Sequence, residues 1–310
     1  MALKKRKSTV TNKKLGIYLI QLFLGVVAVG CLILGYNFSL KMKFPIFPTI
    51  ANERCLKSFY QETPPYLNKA SLKVESYPLC FDGFSLVYSD LSKTALWAAE
   101  VLSPHNLRLI HSAESVSMRI NLSQQADLKH HKLEGYYLWK MLTTDQTSEV
   151  MEQESDFLMK NRLPLVSKEK YELLLNVEQA IRMITQQYKA SVYVVTGPIF
   201  LEQVLKTMND NTFVPSAVFK VIYIPKTGVI GAYYVPNDLS SHVKIVSVCY
   251  LEERLGMNLF PQLSEDEKRN TYKLPWAETN VNAEHPIEYL YWDAHSQCEA
   301  DVVEKSKNRI

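Results

Sequence analysis

The clearest periodic pattern of apolar residues lies near the middle of the chain, between Lys168 and Tyr188. Within it, apolar residues recur at spacings of three and four, at Leu173, Leu174, Val177, Ile181 and Ile184. This spacing places them on one face, so it predicts an amphipathic helix over 168–188. A second helix is predicted over Val243–Leu255, where Gly256 is a typical stop signal. A short helix is predicted over Thr147–Phe157.

Runs rich in β-branched and aromatic residues predict strands on both sides of the long helix. The predicted strands are Phe84–Tyr88, Ser191–Thr196, Ala217–Ile224 and Val229–Val235. The predicted turns are Asp82-Gly83, Gly197-Pro198 and Lys226-Thr227-Gly228. Together these elements indicate the α+β class with a largely antiparallel sheet.

The longest apolar run in the chain is Leu15–Leu40, which contains no charged side chain. A helix needs roughly 20 apolar residues to cross a bilayer, so this run predicts one transmembrane helix. Residues 1–14 hold six basic residues and no acid, whereas only Lys41 and Lys43 follow the run closely. Because basic residues stay on the cytoplasmic side, we expect a cytoplasmic N-terminus and an exported main domain. The exported side would be the periplasm of a bacterium or an organellar compartment of a eukaryote.

Two other interpretations of this apolar run are open. A cleaved signal peptide would have a shorter apolar core, of about 7–15 residues, and a small-residue cleavage site that this run lacks. The other interpretation is lipidation at Cys31, because Ala28-Val-Gly-Cys31 resembles a lipobox. However, Leu32-Ile-Leu34 continues the apolar run where a mature lipoprotein would become polar. The uncleaved anchor is therefore the favoured interpretation.

Composition divides the chain further. Residues 41–70 carry several prolines without a sustained period and are expected to form a stalk, 71–275 the folded domain, and 276–310 a weakly patterned tail. The net charge is +3 for the whole chain, which leaves about −3 once the six basic residues of 1–14 are set aside. The folded part is therefore not a polycation of the kind that binds nucleic acid by charge alone.

The cysteines also bear on the compartment. If the main domain is exported, then Cys55, Cys80, Cys249 and Cys298 lie outside the cytoplasm. Four such cysteines allow two disulfides in three pairings, and Cys55 with Cys80 is preferred because it closes a short loop. Free buried thiols are the alternative. No Cys-x-x-Cys pair or His/Cys spacing suggests zinc.

Several segments together resemble one known family. They are Tyr88-Ser89, Trp97-Ala-Ala-Glu100, Val192-Tyr-Val-Val-Thr-Gly-Pro-Ile-Phe200, Ala217-Val-Phe-Lys220 and Tyr250-Leu-Glu-Glu-Arg-Leu-Gly-Met-Asn-Leu-Phe-Pro261. In this order they are similar to the DNA/RNA non-specific endonucleases, which include mitochondrial endonuclease G. The resemblance spans about residues 75–262. It implies a ββα-metal (His-Me finger) nuclease-like domain, here preceded by one transmembrane helix.

The resemblance also implies a reaction. Members of this family cleave phosphodiesters with a histidine general base, from an Asp-Arg-Gly-His signature, and a divalent cation held by an asparagine. Ala126-Asp-Leu-Lys129, Gly135-Tyr136 and Met141 align with the residues around the signature. The four signature positions then fall on Tyr137, Leu138, Trp139 and Lys140, and none of them matches.

Other positions of the family's site are partly kept. Asn161 lies in Ser155-Asp-Phe-Leu-Met-Lys-Asn161, which resembles a family segment, although Leu165 stands where its glutamine would be. The position of the metal-binding asparagine is Lys170, and Leu174 replaces a tryptophan. Further along the helix, Glu178 and Arg182 match the family's Glu and Arg and share a helix face. The resemblance thus implies a remnant site of Lys140, Asn161, Glu178 and Arg182.

A different register of the alignment to the family would place a histidine at the last position of the Asp-Arg-Gly-His signature. Asp127-Leu-Lys-His130 spells Asp-x-x-His and is followed by His131. That register breaks the spacing to Asn161 and leaves Gly135-Tyr136 unmatched. His130 is therefore the alternative general base, and otherwise His130 and His131 are two solvated loop residues.

These observations lead to one expected function and two rivals. We expect a membrane-anchored pseudonuclease that acts as a binding or assembly module and needs no cofactor. Its remnant site, with Lys140, Lys170 and Arg182 as cations, would bind nucleic acid or another polyanion weakly. The first rival is an active Mg²⁺-dependent endonuclease that uses His130. The second is a structural subunit of a membrane complex, and a homodimer is also expected from family relatives.

Overall fold

The computed structural model describes residues 53–81, 84–105, 107, 132–142, 160–201, 205–282 and 284–299. The basic tail, the predicted transmembrane helix, the Asp82-Gly83 turn, the short helix predicted at 147–157 and both His130 and His131 lie outside these ranges. Within the ranges, no helix has the length and apolarity needed to span a membrane.

Five α-helices and sixteen strands are present in the described part of the chain. The helices are α1 Glu53–Leu56, α2 Ala70–Lys73, α3 Lys168–Tyr188, α4 Val248–Leu255 and α5 Glu265–Arg269, with 3-10 turns at Tyr60–Glu62 and Glu278–Asn280. The strands are β1 Tyr66–Leu67, β2 Ser76–Phe81, β3 Phe84–Ser89, β4 Thr94–Leu102, β5 Lys132–Leu133, β6 Tyr136–Lys140, β7 Arg162–Leu165, β8 Val192–Ile199, β9 Lys206–Thr207, β10 Phe213–Val214, β11 Ala217–Ile224, β12 Val229–Pro236, β13 Lys244–Val246, β14 Met257–Asn258, β15 Asn270–Tyr272 and β16 Tyr289–Trp292.

The central element is a seven-stranded sheet in the order β13-β12-β11-β8-β4-β3-β2. Every neighbouring pair in it is antiparallel. A smaller antiparallel sheet is formed by β5, β6 and β7, and the remaining strands form three two-stranded ribbons. The prediction of a largely antiparallel sheet is therefore confirmed.

The long helix α3 has the bounds that its apolar spacing predicts. Its first free N–H groups are capped by Ser167, whose side chain accepts a hydrogen bond from the Lys170 backbone N. Its apolar face packs against one side of the central sheet. There Val177, Ile181 and Ile184 join a buried cluster with β8, β11 and β12, while Leu174 joins a second cluster with β3, β6 and β7.

The predicted turn at Gly197-Pro198 is wrong, because strand β8 continues through both residues to Ile199. Close packing explains why the residue is a glycine. A Cβ at Gly197 would lie 2.5 Å from the Leu96 carbonyl oxygen and 2.7 Å from the Phe219 ring. The glycine therefore lets neighbouring groups approach the strand backbone and does not form a turn there.

Residues 41–70 are expected to form a stalk, but the described part of this segment packs on the folded domain. Cys55, Phe59 and Leu67 are buried, and β1 pairs with β14. The ring of Phe59 meets Trp97 edge-on at 5.8 Å, on the face of the sheet opposite α3. Residues 53–67 thus pack on the domain, because their aromatic side chains cover that sheet face.

The expected tail after residue 275 also has more structure than its sequence pattern suggests. Strand β16 pairs with β15, and the Arg269 guanidinium donates to the carbonyl oxygens of Asp293 and Ser296 at 2.6 and 2.7 Å.

The helix predicted at Val243–Leu255 is shorter than expected. Lys244–Val246 forms β13, and α4 begins only after its cap, Ser247. As expected, it ends at Gly256, which has a φ of 67°.

Two disulfides close the described domain. Cys55 is bonded to Cys80 with a Cα–Cα distance of 5.6 Å, and Cys249 is bonded to Cys298 with a Cα–Cα distance of 4.1 Å. The first bond fixes α1 to strand β2 at the sheet edge. The second fixes the C-terminal segment to α4.

Candidate functional site

Strands β6 and β7 and the helix α3 form a ββα unit, and every remnant-site position that the sequence singled out lies on it or directly beside β7. The two strands are antiparallel, with Trp139 opposite Leu163 and Lys140 opposite Arg162. Helix α3 begins three residues after β7 ends. The side chains of this unit therefore decide whether the site resembles a hydrolytic centre.

Strand alternation separates Lys140 from the rest of the expected site. Trp139 is 1% exposed and belongs to the apolar cluster that contains Leu174 of α3. Leu138 points the other way and packs with Met208 and Val214. Because successive side chains of a strand lie on opposite faces, Lys140 lies on the same face as Leu138. It is half-buried there and is not directed towards α3.

Asn161 is positioned as a structural residue at the end of the β6–β7 pair. It is 3% exposed. Its side-chain oxygen accepts a hydrogen bond from the Leu142 backbone N at 3.3 Å, and its carbonyl oxygen accepts one from Met141 N at 3.0 Å. These bonds satisfy the backbone where β6 ends, so Asn161 holds the strand end in place.

The side chain of Lys170 lies beneath the loop that follows β12 and is 1% exposed. Its ammonium is 3.4 Å from a carboxylate oxygen of Asp238 and donates to the Ser240 hydroxyl at 3.4 Å. Burial lowers the pKa of Lys170, and the nearby Asp238 opposes this shift. Hydrogen bonds from Ser240 hold the pKa of Asp238 at about 2, with Lys170 contributing further. Lys170 is therefore a buried cation whose ammonium pairs with a solvent-exposed carboxylate.

Glu178 lies two turns further along α3 and faces the middle of the central sheet. A Glu178 carboxylate oxygen is 3.9 Å from the ammonium of Lys220 on β11, and the two side chains are 6% and 2% exposed. The Lys220 ammonium also donates to the Met141 carbonyl oxygen at 3.3 Å and lies 5.5 Å from the Trp139 ring centre. Lys220 thus connects α3, the central sheet and the end of β6. Arg182 follows one turn after Glu178 and is half-buried.

Sequence reasoning missed Lys220 and Asp238, which supply the observed partners of Glu178 and Lys170. The Lys170 ammonium contacts Asp238 and Ser240. One signal was available for Lys220, because a lone lysine inside the apolar run Ala217–Ile224 has to be buried when that strand lies in the sheet centre. No comparable signal marks Asp238, which lies in a polar loop.

The donor chemistry of this site does not fit a divalent cation. Magnesium takes oxygen ligands, but the helix position that corresponds to the family's metal ligand holds an ammonium that is already paired. Among the residues that the structure describes, no group of three or more His, Cys, Asp or Glu side chains is arranged to hold a metal. His130 lies outside those residues, so its role as the alternative base stays a prediction.

Comparisons with known proteins address the family. Residues 143–290 match the family model for the DNA/RNA non-specific endonucleases, and this match begins just after the four degenerate signature positions. The chain is similar to a chain of the solved EndoG/EndoGI complex, with 18% identity over 62% of this chain and 89% of that chain and a TM-score of 0.45. No curated protein matches. The family match confirms the resemblance predicted from the sequence and covers residues 143–290.

Proposed function

We propose that this protein is a membrane-anchored pseudonuclease, in which a nuclease-family domain serves as a binding or assembly module. The observation that carries the proposal is the buried ammonium of Lys170 at the family's metal-ligand position, which pairs with the exposed carboxylate of Asp238. The anchor rests on the apolar run Leu15–Leu40 and its flanking charges.

The replacement at Lys170 acts against metal binding in two ways. An ammonium repels a divalent cation, and its three donors offer no lone pair to one. Because the group is buried beside Asp238 and Ser240, moving it aside would leave a charge without its partner inside the protein. A cation could therefore bind there only at the cost of breaking the pair.

The general base is also missing from the described site. The family's signature strand corresponds to β6, which offers Tyr137, Leu138, Trp139 and Lys140 at the four positions. Trp139 fills the face of β6 that points to α3, so an apolar ring lies next to Lys220, the ion-pair partner of Glu178. A general base typically contributes about 10²–10⁴-fold to the rate, and we expect turnover to fall by at least this factor.

The position of the two lysines also changes the expectation that the site binds polyanions. Lys140 and Lys170 were expected to lie together beside Glu178 and Arg182. Lys170 is instead neutralised by Asp238, and Lys140 lies on the other face of β6. We therefore give assembly with a protein partner more weight than binding of nucleic acid at this site.

Incubation of the full-length protein with plasmid DNA and RNA, with Mg²⁺ and with a chelator, tests the proposal. An active family nuclease serves as the positive control. We expect no Mg²⁺-dependent cleavage within about 10²-fold of that control. Calorimetry should likewise show no site for Mg²⁺ in the wild type.

His130→Ala is the deciding variant. Robust Mg²⁺-dependent cleavage that this substitution abolishes would overturn the proposal and establish the active endonuclease. Cleavage that survives the substitution would also contradict the proposal and would place the base elsewhere in the chain.

A further inference from the structure

A short aromatic strand is exposed on the surface of the described domain. Strand β16 pairs with β15, and its four side chains are 43–50% exposed. They are Tyr289, Leu290, Tyr291 and Trp292, called here the aromatic ribbon. Trp276, four residues beyond β15, is 48% exposed as well. The ribbon is thus a run of large apolar side chains in contact with solvent.

The ribbon is held in place by its neighbours. The Arg269 guanidinium lies 5.1 Å from the Trp292 ring centre and donates to carbonyl oxygens on both sides of the turn that follows. Tyr289 meets Tyr272 edge-on at 5.6 Å. The Cys249–Cys298 disulfide closes the segment six residues beyond Trp292. These contacts fix the aromatic side chains at the surface, so their exposure is a built feature of the fold.

The tryptophans of the chain fall into two classes. Trp97 and Trp139 are at most 1% exposed and lie in the core, whereas Trp276 and Trp292 are nearly half exposed. Tyr and Trp have an apolar ring and one polar atom, which suits the boundary between lipid and water. A water-exposed apolar edge strand would otherwise promote aggregation. The chemistry of the ribbon therefore fits a lipid headgroup region.

The length of chain between the apolar run and the domain allows this contact. Twelve residues separate Leu40 from Glu53, and they can span at most about 40 Å when extended. Near Glu53, Cys55 is bonded to β2 at one edge of the sheet. The ribbon's partner β15 packs against β12, five strand spacings away, which is about 24 Å. The tether is thus longer than the distance across the sheet.

We infer that the aromatic ribbon seats in the headgroup region of the membrane that anchors the chain. This inference rests on the anchor of the proposed function. Pairing of β16 with a second copy is the competing use of such an edge. The register of the β15–β16 pair shifts between Thr271 and Tyr272, and an irregular edge of this kind opposes regular strand addition.

Tryptophan fluorescence of the full-length chain in phosphatidylcholine vesicles tests the inference, with a fraction of the lipid carrying a shallow acyl-chain nitroxide quencher. All four tryptophans lie outside Leu15–Leu40, at positions 97, 139, 276 and 292. Because two of the four are buried in the core, we expect the nitroxide to quench roughly half of the emission. Trp276→Phe/Trp292→Phe should abolish the quenching and leave the core emission unchanged.

Leu290→Asp should reduce the quenching of Trp292, since it places a charge in the ribbon. Leu239→Asp is the matched control, because Leu239 is 88% exposed and lies away from β16 in the sequence. This variant should leave the quenching unchanged.

Full access of an aqueous quencher to both exposed tryptophans, without quenching by the lipid nitroxide, would overturn the inference. So would shielding from both quenchers together with β16-to-β16 cross-links, which would establish a second copy as the occupant. Extraction of the protein by alkaline carbonate would instead show that the anchor has failed.

Discussion

At the scale of single residues, the pair of Glu252 and Lys268 shows how a buried charge is held in the described domain. Glu252 on α4 is entirely buried, and Lys268 lies 2.9 Å from it at 3% exposure. The Lys268 ammonium also donates to the Asn258 side chain at 2.7 Å, and the carboxylate accepts from the Leu259 backbone N at 2.9 Å. Burial raises the pKa of Glu252, although Lys268 and these hydrogen bonds oppose the shift. The carboxylate therefore depends on its partners to stay charged.

Replacing Lys268 with methionine tests this dependence. The variant keeps the volume of the side chain but leaves a buried carboxylate without its cation, and we expect a loss of about 3–5 kcal/mol in the free energy of unfolding. Urea denaturation followed by circular dichroism measures it. Lys168→Met is the matched control, because the Lys168–Glu172 pair is half exposed, and its loss should lower the free energy of unfolding far less than Lys268→Met does. Equal losses in the two variants would contradict the argument.

At the scale of elements, one carboxylate joins the C-terminal segment to helix α4. Asp293, which follows β16, accepts hydrogen bonds from the hydroxyl of Ser247, the cap of α4, and from the backbone N of His295 and Ser296. Burial acts to raise the pKa of Asp293, but these bonds together lower it to about 2. The docking of this segment therefore depends on the ionised form.

This dependence predicts a change of stability with pH. A carboxyl group whose pKa is lowered on folding stabilises the protein above its unfolded pKa of about 3.9, and this contribution disappears as the pH falls through the folded value. The difference in the free energy of unfolding between the wild type and Asp293→Asn should therefore shrink between about pH 5 and pH 2. Denaturation curves at several pH values would measure it. A difference that stays constant over this range would show that the charge of Asp293 has no such role.

The elements also show which parts of the fold a sequence can predict. Helix α3 and strand β11 have their predicted bounds, because each is set by a local pattern. These patterns are the apolar spacing of 168–188 and the largely apolar, β-branched and aromatic run 217–224. Strand β16 was not predicted, because its place depends on Arg269 and Cys249, which are far from it in sequence. The helix expected from Val243 was partly wrong, because pairing with β12 draws Lys244–Val246 into the sheet.

In the candidate site, too, sequence reasoning located the residues but not the partners that tertiary packing brings to them. Lys170 and Glu178 were located from the resemblance of the long helix to the family's helix, which is information along a single segment. Their contacts with Asp238 and Lys220 were not found, because these partners come from the β12–β13 loop and from β11. Strand alternation in β6 likewise placed Trp139, and not Lys140, towards α3. Partners that tertiary packing brings together are not encoded in spacing along the chain.

At the scale of the whole molecule, the two disulfides and the charge of the N-terminal segment both bear on whether the domain is exported. Cys55–Cys80 and Cys249–Cys298 pair all the cysteines beyond the apolar run. Structural disulfides persist in oxidising compartments, such as the periplasm, and are rare in the cytosol. The cysteine pairing therefore favours an exported domain, in agreement with the distribution of basic residues on the two sides of Leu15–Leu40.

Reporter fusions in bacteria would test the exported topology. Six basic residues precede Leu15 and two follow Leu40 closely, so from the positive-inside rule we propose a cytoplasmic N-terminus and an exported domain. Alkaline phosphatase fused after Ile310 should be active, because it folds only where its disulfides can form. A cytoplasmic fluorescent reporter at the same site should be dark. Replacing Lys4, Lys5, Arg6 and Lys7 with serine, and adding four lysines after Lys43, should reduce phosphatase activity and increase fluorescence, because the basic excess then lies beyond the run. A wild-type fusion that fluoresces and lacks phosphatase activity would place the domain in the cytoplasm, and the anchor would have to be reassigned.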